Sequence, residues 1–181
     1  MSALGIDFDV LVPKGEEIDI IGKKYSVDFV NACAKQKAKN AYEELNKLNY
    51  IEKKENDLSD VVIISCDTVV VNDGIIIGKP KDKKDAYETL KSLSGKTHIV
   101  SSSICIVERD KYNVANEITE VKFRNLTDKE IADYIERCKP FDKAGSYGIQ
   151  DEGFDFVENI VGSYENVMGF PVKTFEKLIK I

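Results

Sequence analysis

The sequence predicts an α/β or α+β protein built on a mixed sheet, and three observations predict it. Helical and extended patterns alternate along the 181 residues instead of falling into separate blocks. A hairpin signal stands in the middle, with Val69-Val70-Val71 and Ile75-Ile76-Ile77 flanking Asn72-Asp73-Gly74. Apolar residues recur at spacings of three and four over 28–48 and again over 82–93.

The elements follow in order. Ile6 to Val12 alternates and predicts a strand, ended by a turn at Pro13-Lys14-Gly15. Val30, Ala34, Ala38, Ala41, Leu45 and Leu48 form one stripe of a helix that Asp28 is placed to cap, and Lys37 lies at the stripe's edge. Glu52 to Asp60 predicts a loop. Val61-Val62-Ile63-Ile64 is a continuous apolar run, as in a strand buried on both faces. Asp82 to Leu93 is a short helix ended by Gly95, and 99–107 and 114–123 are strands. Thr127-Asp128-Lys129-Glu130 is a capping box, opening a helix that must stop before Pro140. Phe154 to Ile160 predicts a strand, and Pro171 suits the first turn of a last helix carrying Phe175, Leu178 and Ile179. The whole chain is read as one domain.

Composition narrows the function. Apolar residues make up 43%, enough for a sizeable core, and charged residues 32%. With 26 basic and 32 acidic residues the net charge is −6, which argues against a nucleic-acid partner. No apolar run approaches the roughly 20 residues that span a bilayer. The start has no signal-peptide pattern, so a cytoplasmic location with no membrane partner is expected. Cys33, Cys66, Cys105 and Cys138 form no C-x-x-C pair and read as reduced thiols, mostly in the core.

Three segments carry chemistry. Cys66-Asp67-Thr68 interrupts two apolar runs with a carboxylate and a hydroxyl. Asp67 is either a turn aspartate bonding nearby amides or a group at the carboxyl end of a buried strand, where it would hold a metal or activate water. In Gly78-Lys79-Pro80-Lys81-Asp82, Lys79 is either an ordinary exposed lysine or a fixed positive charge for a phosphate. Residues 140–150 gather Asp142, Lys143, Tyr147 and Gln150 among glycines, a decorated loop or a ligand-facing one. Gly95-Lys96-Thr97 is not a P-loop, because Leu90 stands where its first glycine belongs. His98, the single histidine, has no partner set for a triad or metal and reads as structural or exposed.

Together these segments resemble the Maf family of nucleotide pyrophosphatases. The matching pieces are Ser65-Cys66-Asp67-Thr68-Val69-Val70-Val71, Ile77-Gly78-Lys79-Pro80-Lys81-Asp82, Leu93-Ser94-Gly95-Lys96-Thr97-His98, Val121-Lys122-Phe123-Arg124, 142–150 and Gly169-Phe170-Pro171. The resemblance implies a two-lobed fold with a substrate cleft between the lobes. It implies hydrolysis between the α and β phosphates of a nucleoside triphosphate, with Mg2+ or a similar ion such as Mn2+. On it, Asp67 is the general base and a metal contact, and Glu17 shares both roles. Lys37 and Lys79 clamp phosphates, Asp142 and Lys143 belong to the substrate-binding loop, and Thr68 and Gln150 choose the base. Their pairing resembles the branch acting on dTTP and UTP. A homodimer is also implied.

One departure stands against that pattern. Family members open with a strand and a Ser-x-Ser-x-Arg-Arg motif that helps hold the triphosphate. This chain begins Met1-Ser2-Ala3-Leu4-Gly5-Ile6-Asp7-Phe8, and its arginines are Arg109, Arg124 and Arg137. Either Met1 is internal to a longer chain, the reading favoured here, or the natural protein lacks the motif. As written, the chain is expected to be weakly active or inactive and less stable. The competing function is a catalytically impaired nucleotide-binding or regulatory protein linked to septum formation.

Overall fold

A computed structural model describes residues 5–16, 18–52 and 61–179. Five strands, β1 (Val62–Asn72), β2 (Ile75–Ile77), β3 (Thr97–Glu108), β4 (Lys111–Phe123) and β5 (Val157–Val161), form one sheet in the order β2-β1-β3-β4-β5. Helices α1 (Val27–Glu52), α2 (Lys83–Leu93), α3 (Asp128–Cys138), α4 (Tyr164–Val167) and α5 (Val172–Ile179) cover it. The expected mixed sheet is corrected in one respect. Every ladder among the described strands is antiparallel, because tight turns make β1–β2 and β3–β4 hairpins and β3 returns against β1.

Side-chain alternation along β1 sorts the helices onto two faces. Odd-numbered Ile63, Val69 and Val71 pack with Val30, Cys33, Ala34 and Ala38 of α1. Even-numbered Val70 joins Leu90 and Leu93 of α2 and Ile131, Tyr134 and Ile135 of α3. Further along that face, Ile104 and Ile106 meet Phe175 of α5, with Ile64 packed against them.

Local signals set most boundaries. Asp73 (φ 50°) and Gly74 (φ 77°) form the left-handed pair that a two-residue hairpin turn requires. Asp82 caps α2 through the Asp85 amide, and the capping box of α3 is present in both directions. At α1 the cap is corrected from Asp28 to Ser26, whose hydroxyl accepts from the Asp28 amide. Phe175 N–H donates to Pro171 O, so the proline stands just ahead of α5.

Other expectations are revised. Ile6–Val12 forms no strand. Val10 and Val12 are 79% and 82% exposed, and only Ile6 reaches the core, because alternation is no substitute for a neighbouring strand to pair with. Val61 and Val62 are exposed as well, so the run at 61–64 is not buried on both faces. β5 starts at Val157, since Phe154 and Phe156 are used to pack edge-on against Tyr134. The loop expected over Glu52–Asp60 lies outside the described residues apart from Glu52, which closes α1. The four cysteines form no disulfide, and Cys33 and Cys105 are buried. Among the described residues no helix is long and apolar enough to cross a membrane.

Candidate active site

β2 pairs with β1 only at residues 70–72. Beyond that point, among the described strands, the outer flank of β1 from Val62 to Val69 has no partner. A cavity of about 640 Å³ opens there. Asp67 and Thr68 line it from opposite faces of the strand. Asp67 is therefore neither in a turn nor at a strand end: it is the sixth residue of an eleven-residue strand. A polar interruption is tolerated mid-strand because one flank is open and polar partners stand opposite on β3.

On the odd-numbered face, Ala34 and Ala38 are fully buried and let α1 lie close to the sheet. The Ser65 hydroxyl donates to Ala34 O at 2.7 Å and ties helix to strand. That closeness lets Lys37 Nζ reach Asp67 Oδ1 at 2.5 Å. The lysine side chain is 32% exposed and the carboxylate 14%, so the pair is half-withdrawn from water yet opens onto the cavity. Gln36 and Asn40 line the same wall, with Gln36 Nε2 donating to Asn40 Oδ1.

On the even-numbered face the contacts are neutral. Thr68 Oγ1 lies 2.9 Å from Ser102 Oγ, its direct cross-strand partner, and 3.3 Å from Gly169 O. Ser102 is fully buried and its hydroxyl donates to Asn166 O. Cys66 Sγ donates to Gly169 O, and burial pushes its thiol up to about 12, which keeps it protonated.

Two loops close the remaining sides. Lys79, exposed, follows β2. Gly145 N–H donates to Gly78 O, and a Cβ at Gly145 (φ 70°) would meet Val70 Cγ2 at 2.7 Å, so only glycine lets this loop lie against β1. Lys143 Nζ donates to Asp142 Oδ1 at 3.0 Å and holds that carboxyl below the usual carboxylate range. Gln150, exposed, lines the cavity from a loop braced by Tyr134. The Tyr134 hydroxyl accepts from Gly148 N–H and donates to Asp151 Oδ2.

The structure thus brings Asp67, Thr68, Lys37, Lys79, Asp142, Lys143 and Gln150 to one cavity. Glu17 lies outside the described residues; Glu16 and Asp19, on either side of it, line the cavity. Sequence reasoning missed Ser102, Asn166 and Tyr134. A signal existed for the first, since Ser101-Ser102-Ser103 breaks an otherwise apolar strand. His98 is structural: it is buried, its Nε2 is 2.8 Å from the Tyr147 hydroxyl, and burial lowers its pKa to about 4. Arg124 bonds Glu130 and Asp155 O, and Arg137 lies over Phe154; neither lines the cavity.

The family described as Maf-like protein matches residues 1–181. A protein of Aquifex aeolicus named dTTP/UTP pyrophosphatase is 40% identical over 180 residues, covering 99% of this chain and 87% of the relative. One of the same name from Dictyoglomus turgidum is 36% identical over 181 residues, with 99% and 87% covered. Another, from Thermosipho africanus, is 48% identical over 126 residues, or 70% and 65%.

Proposed function

The chain belongs to the Maf-like protein family, and from that premise we propose that it is a nucleoside triphosphate pyrophosphatase that hydrolyses dTTP and UTP to the monophosphate and pyrophosphate. The observation that carries this reading is the convergence of the Lys37–Asp67 pair, Lys79 and Gln150 on one cavity. Its volume falls within the roughly 300–1,000 Å³ of small-molecule sites. The cleft between two lobes implied by the resemblance corresponds, on this reading, to the space between the α1 face of β1 and the 142–150 loop.

The chemistry follows from the residue types. A triphosphate brings several negative charges, and Lys37, Lys79 and Lys143 are the described cations lining the cavity. An arriving phosphate competes with Asp67 for Lys37. That exchange frees the Asp67 carboxylate to orient a water and take its proton as oxygen attacks the α-phosphorus. The bond to the bridging oxygen breaks, and pyrophosphate leaves with its charge held by the lysines. Thr68 and Gln150 face the base.

A divalent cation belongs to the same proposal. Among the described residues no group of three acidic, histidine or cysteine side chains is placed to hold a metal. Mg2+ does not require one, since it takes one or two carboxylates and completes its shell with waters and phosphate oxygens. Asp67 fits that demand, with Glu17 as the second carboxylate, and Mg2+ or Mn2+ would neutralise the phosphate oxygens as the leaving group departs. A cytoplasmic homodimer acting on free nucleotide, without nucleic acid, completes the reading.

Pyrophosphate release from a panel of triphosphates with Mg2+ tests it. Turnover of dTTP and UTP that disappears in Asp67→Asn is expected. Full activity in that variant would show that the base is misassigned. Turnover of no triphosphate, with nucleotide still bound, would favour the impaired nucleotide-binding protein, a reading supported by the lack of an arginine among the described residues lining the cavity.

A further inference from the structure

The nearest partner of the Thr68 hydroxyl, Ser102, does not line the cavity. Thr68 and Ser102 face each other across β1 and β3, with their oxygens 2.9 Å apart. Ser102 is fully buried, and Asn166 O stands 3.2 Å from its hydroxyl as an acceptor. Asn166 is itself immobilised: its amide nitrogen donates to Val100 O, Glu117 O and Thr119 Oγ1, and its backbone N–H to Ser163 Oγ. With the Ser102 proton directed to Asn166 O, the Thr68 proton goes to Ser102 Oγ. Were Ser102 to donate to Thr68 instead, Gly169 O at 3.3 Å would take the Thr68 proton. In both arrangements the single hydrogen of Thr68 points into the protein, and the side chain shows the cavity only lone pairs.

We propose that Ser102 is a positioning residue that fixes Thr68 as a hydrogen-bond acceptor and thereby selects a base whose ring nitrogen N3 carries a hydrogen. Uracil and thymine present N3–H between two carbonyls. Cytosine presents an N3 lone pair at the same place, and an acceptor facing an acceptor leaves both without a partner. The inference rests on the proposed function in taking the cavity as a nucleotide site with Thr68 facing the base.

Calorimetric binding of UMP, CMP and 3-methyl-UMP, beside kcat/KM for UTP and CTP, tests it. The wild type is expected to prefer UMP to CMP and to reject 3-methyl-UMP, in which the N3 hydrogen is replaced. Ser102→Ala leaves Thr68 only the longer 3.3 Å contact to Gly169 O, so it is expected to hold UTP turnover within about threefold while narrowing the uracil-over-cytosine preference about fivefold, the low end of the roughly 5–160-fold that an unsatisfied polar group costs. Thr68→Val should narrow it at least as much, Thr68→Ser should keep it, and the double variant Ser102→Ala/Thr68→Val should add nothing beyond Thr68→Val. If Ser102→Ala lowers uracil and cytosine nucleotides by one common factor, or if the wild type binds 3-methyl-UMP as well as UMP, the inference is overturned. Should Ser102→Ala fail to fold, the contrast between Thr68→Val and Thr68→Ser decides alone. No turnover of any triphosphate, with a UMP preference that Ser102→Ala erodes, would sink the hydrolase reading and keep this one.

Discussion

Asp67 and Thr68 are adjacent in the chain and face opposite sides of β1, and the two walls they build differ in kind. The Asp67 wall is ionic, with a lysine from α1 drawn to within 2.5 Å of the carboxylate. The Thr68 wall is neutral, a file of hydroxyls and carbonyls running through Ser102 to Asn166. The ionic wall satisfies itself before a ligand arrives, so binding there exchanges one partner for another. The neutral wall is set in advance and has only to be matched. On the proposed function, rate belongs to the first wall and choice to the second.

Substitutions can break that contrast, and the largest effect falls on the ionic wall. Asp67→Asn keeps the shape and an acceptor for Lys37 but loses the base, so kcat should fall by about 10²–10⁴-fold while the UMP-to-CMP affinity ratio stays put. Lys37→Ala should lower kcat/KM about a hundredfold, because a cation facing the phosphates is gone. It should also lower the melting temperature, since the half-buried Asp67 loses that lysine. A shift of the UMP-to-CMP ratio in either variant would show that the walls are not independent.

Two smaller effects sharpen the comparison. Tyr134→Phe removes the acceptor of Gly148 N–H and the donor to Asp151, loosening the loop that carries Gln150. A stability loss of about 1–3 kcal/mol is expected in urea titration, with a severalfold rise in KM and little change in kcat. His98 gives the mildest signal. Its folded-state pKa, lowered by burial to about 4, lies below the ordinary 6.5, so the unfolded chain binds more protons between those values. Its contribution is fully present above pH 6.5 and fades as pH falls toward 4, by on the order of 2–3 kcal/mol. His98→Gln should flatten that slope. The pH profile of turnover should not move, because His98 does not line the cavity.

Whatever depended on neighbours in the chain was legible before the structure. The turn at Asp73-Gly74 and the capping box at Thr127 are local devices, and both stand where the sequence places them. The stripe from Val30 to Leu45 named the face of α1 that meets β1. What depended on distant partners was not legible. Ile6–Val12 alternates like a strand, but no local pattern says that it pairs with none of the described strands. Cys66-Asp67-Thr68 reads as a turn or as the end of a strand until Ser101-Ser102-Ser103 is found opposite it on β3. The same holds for the candidate site. Asp67, Thr68, Lys79 and Gln150 stood out in short segments and took their roles from the family's motifs, whereas Ser102 and Asn166, 34 and 98 positions beyond Thr68, belong to no motif and enter only through the fold.

The shortness of β2 has a consequence beyond making room. Among the described strands, a sheet flank left bare for several residues is the kind of seam along which a second extended chain can zip, giving aggregates. Here the seam and the workplace coincide. On the proposed function, a nucleotide seated beside Asp67 and Thr68 would cover part of that backbone, so bound ligand should slow such zipping.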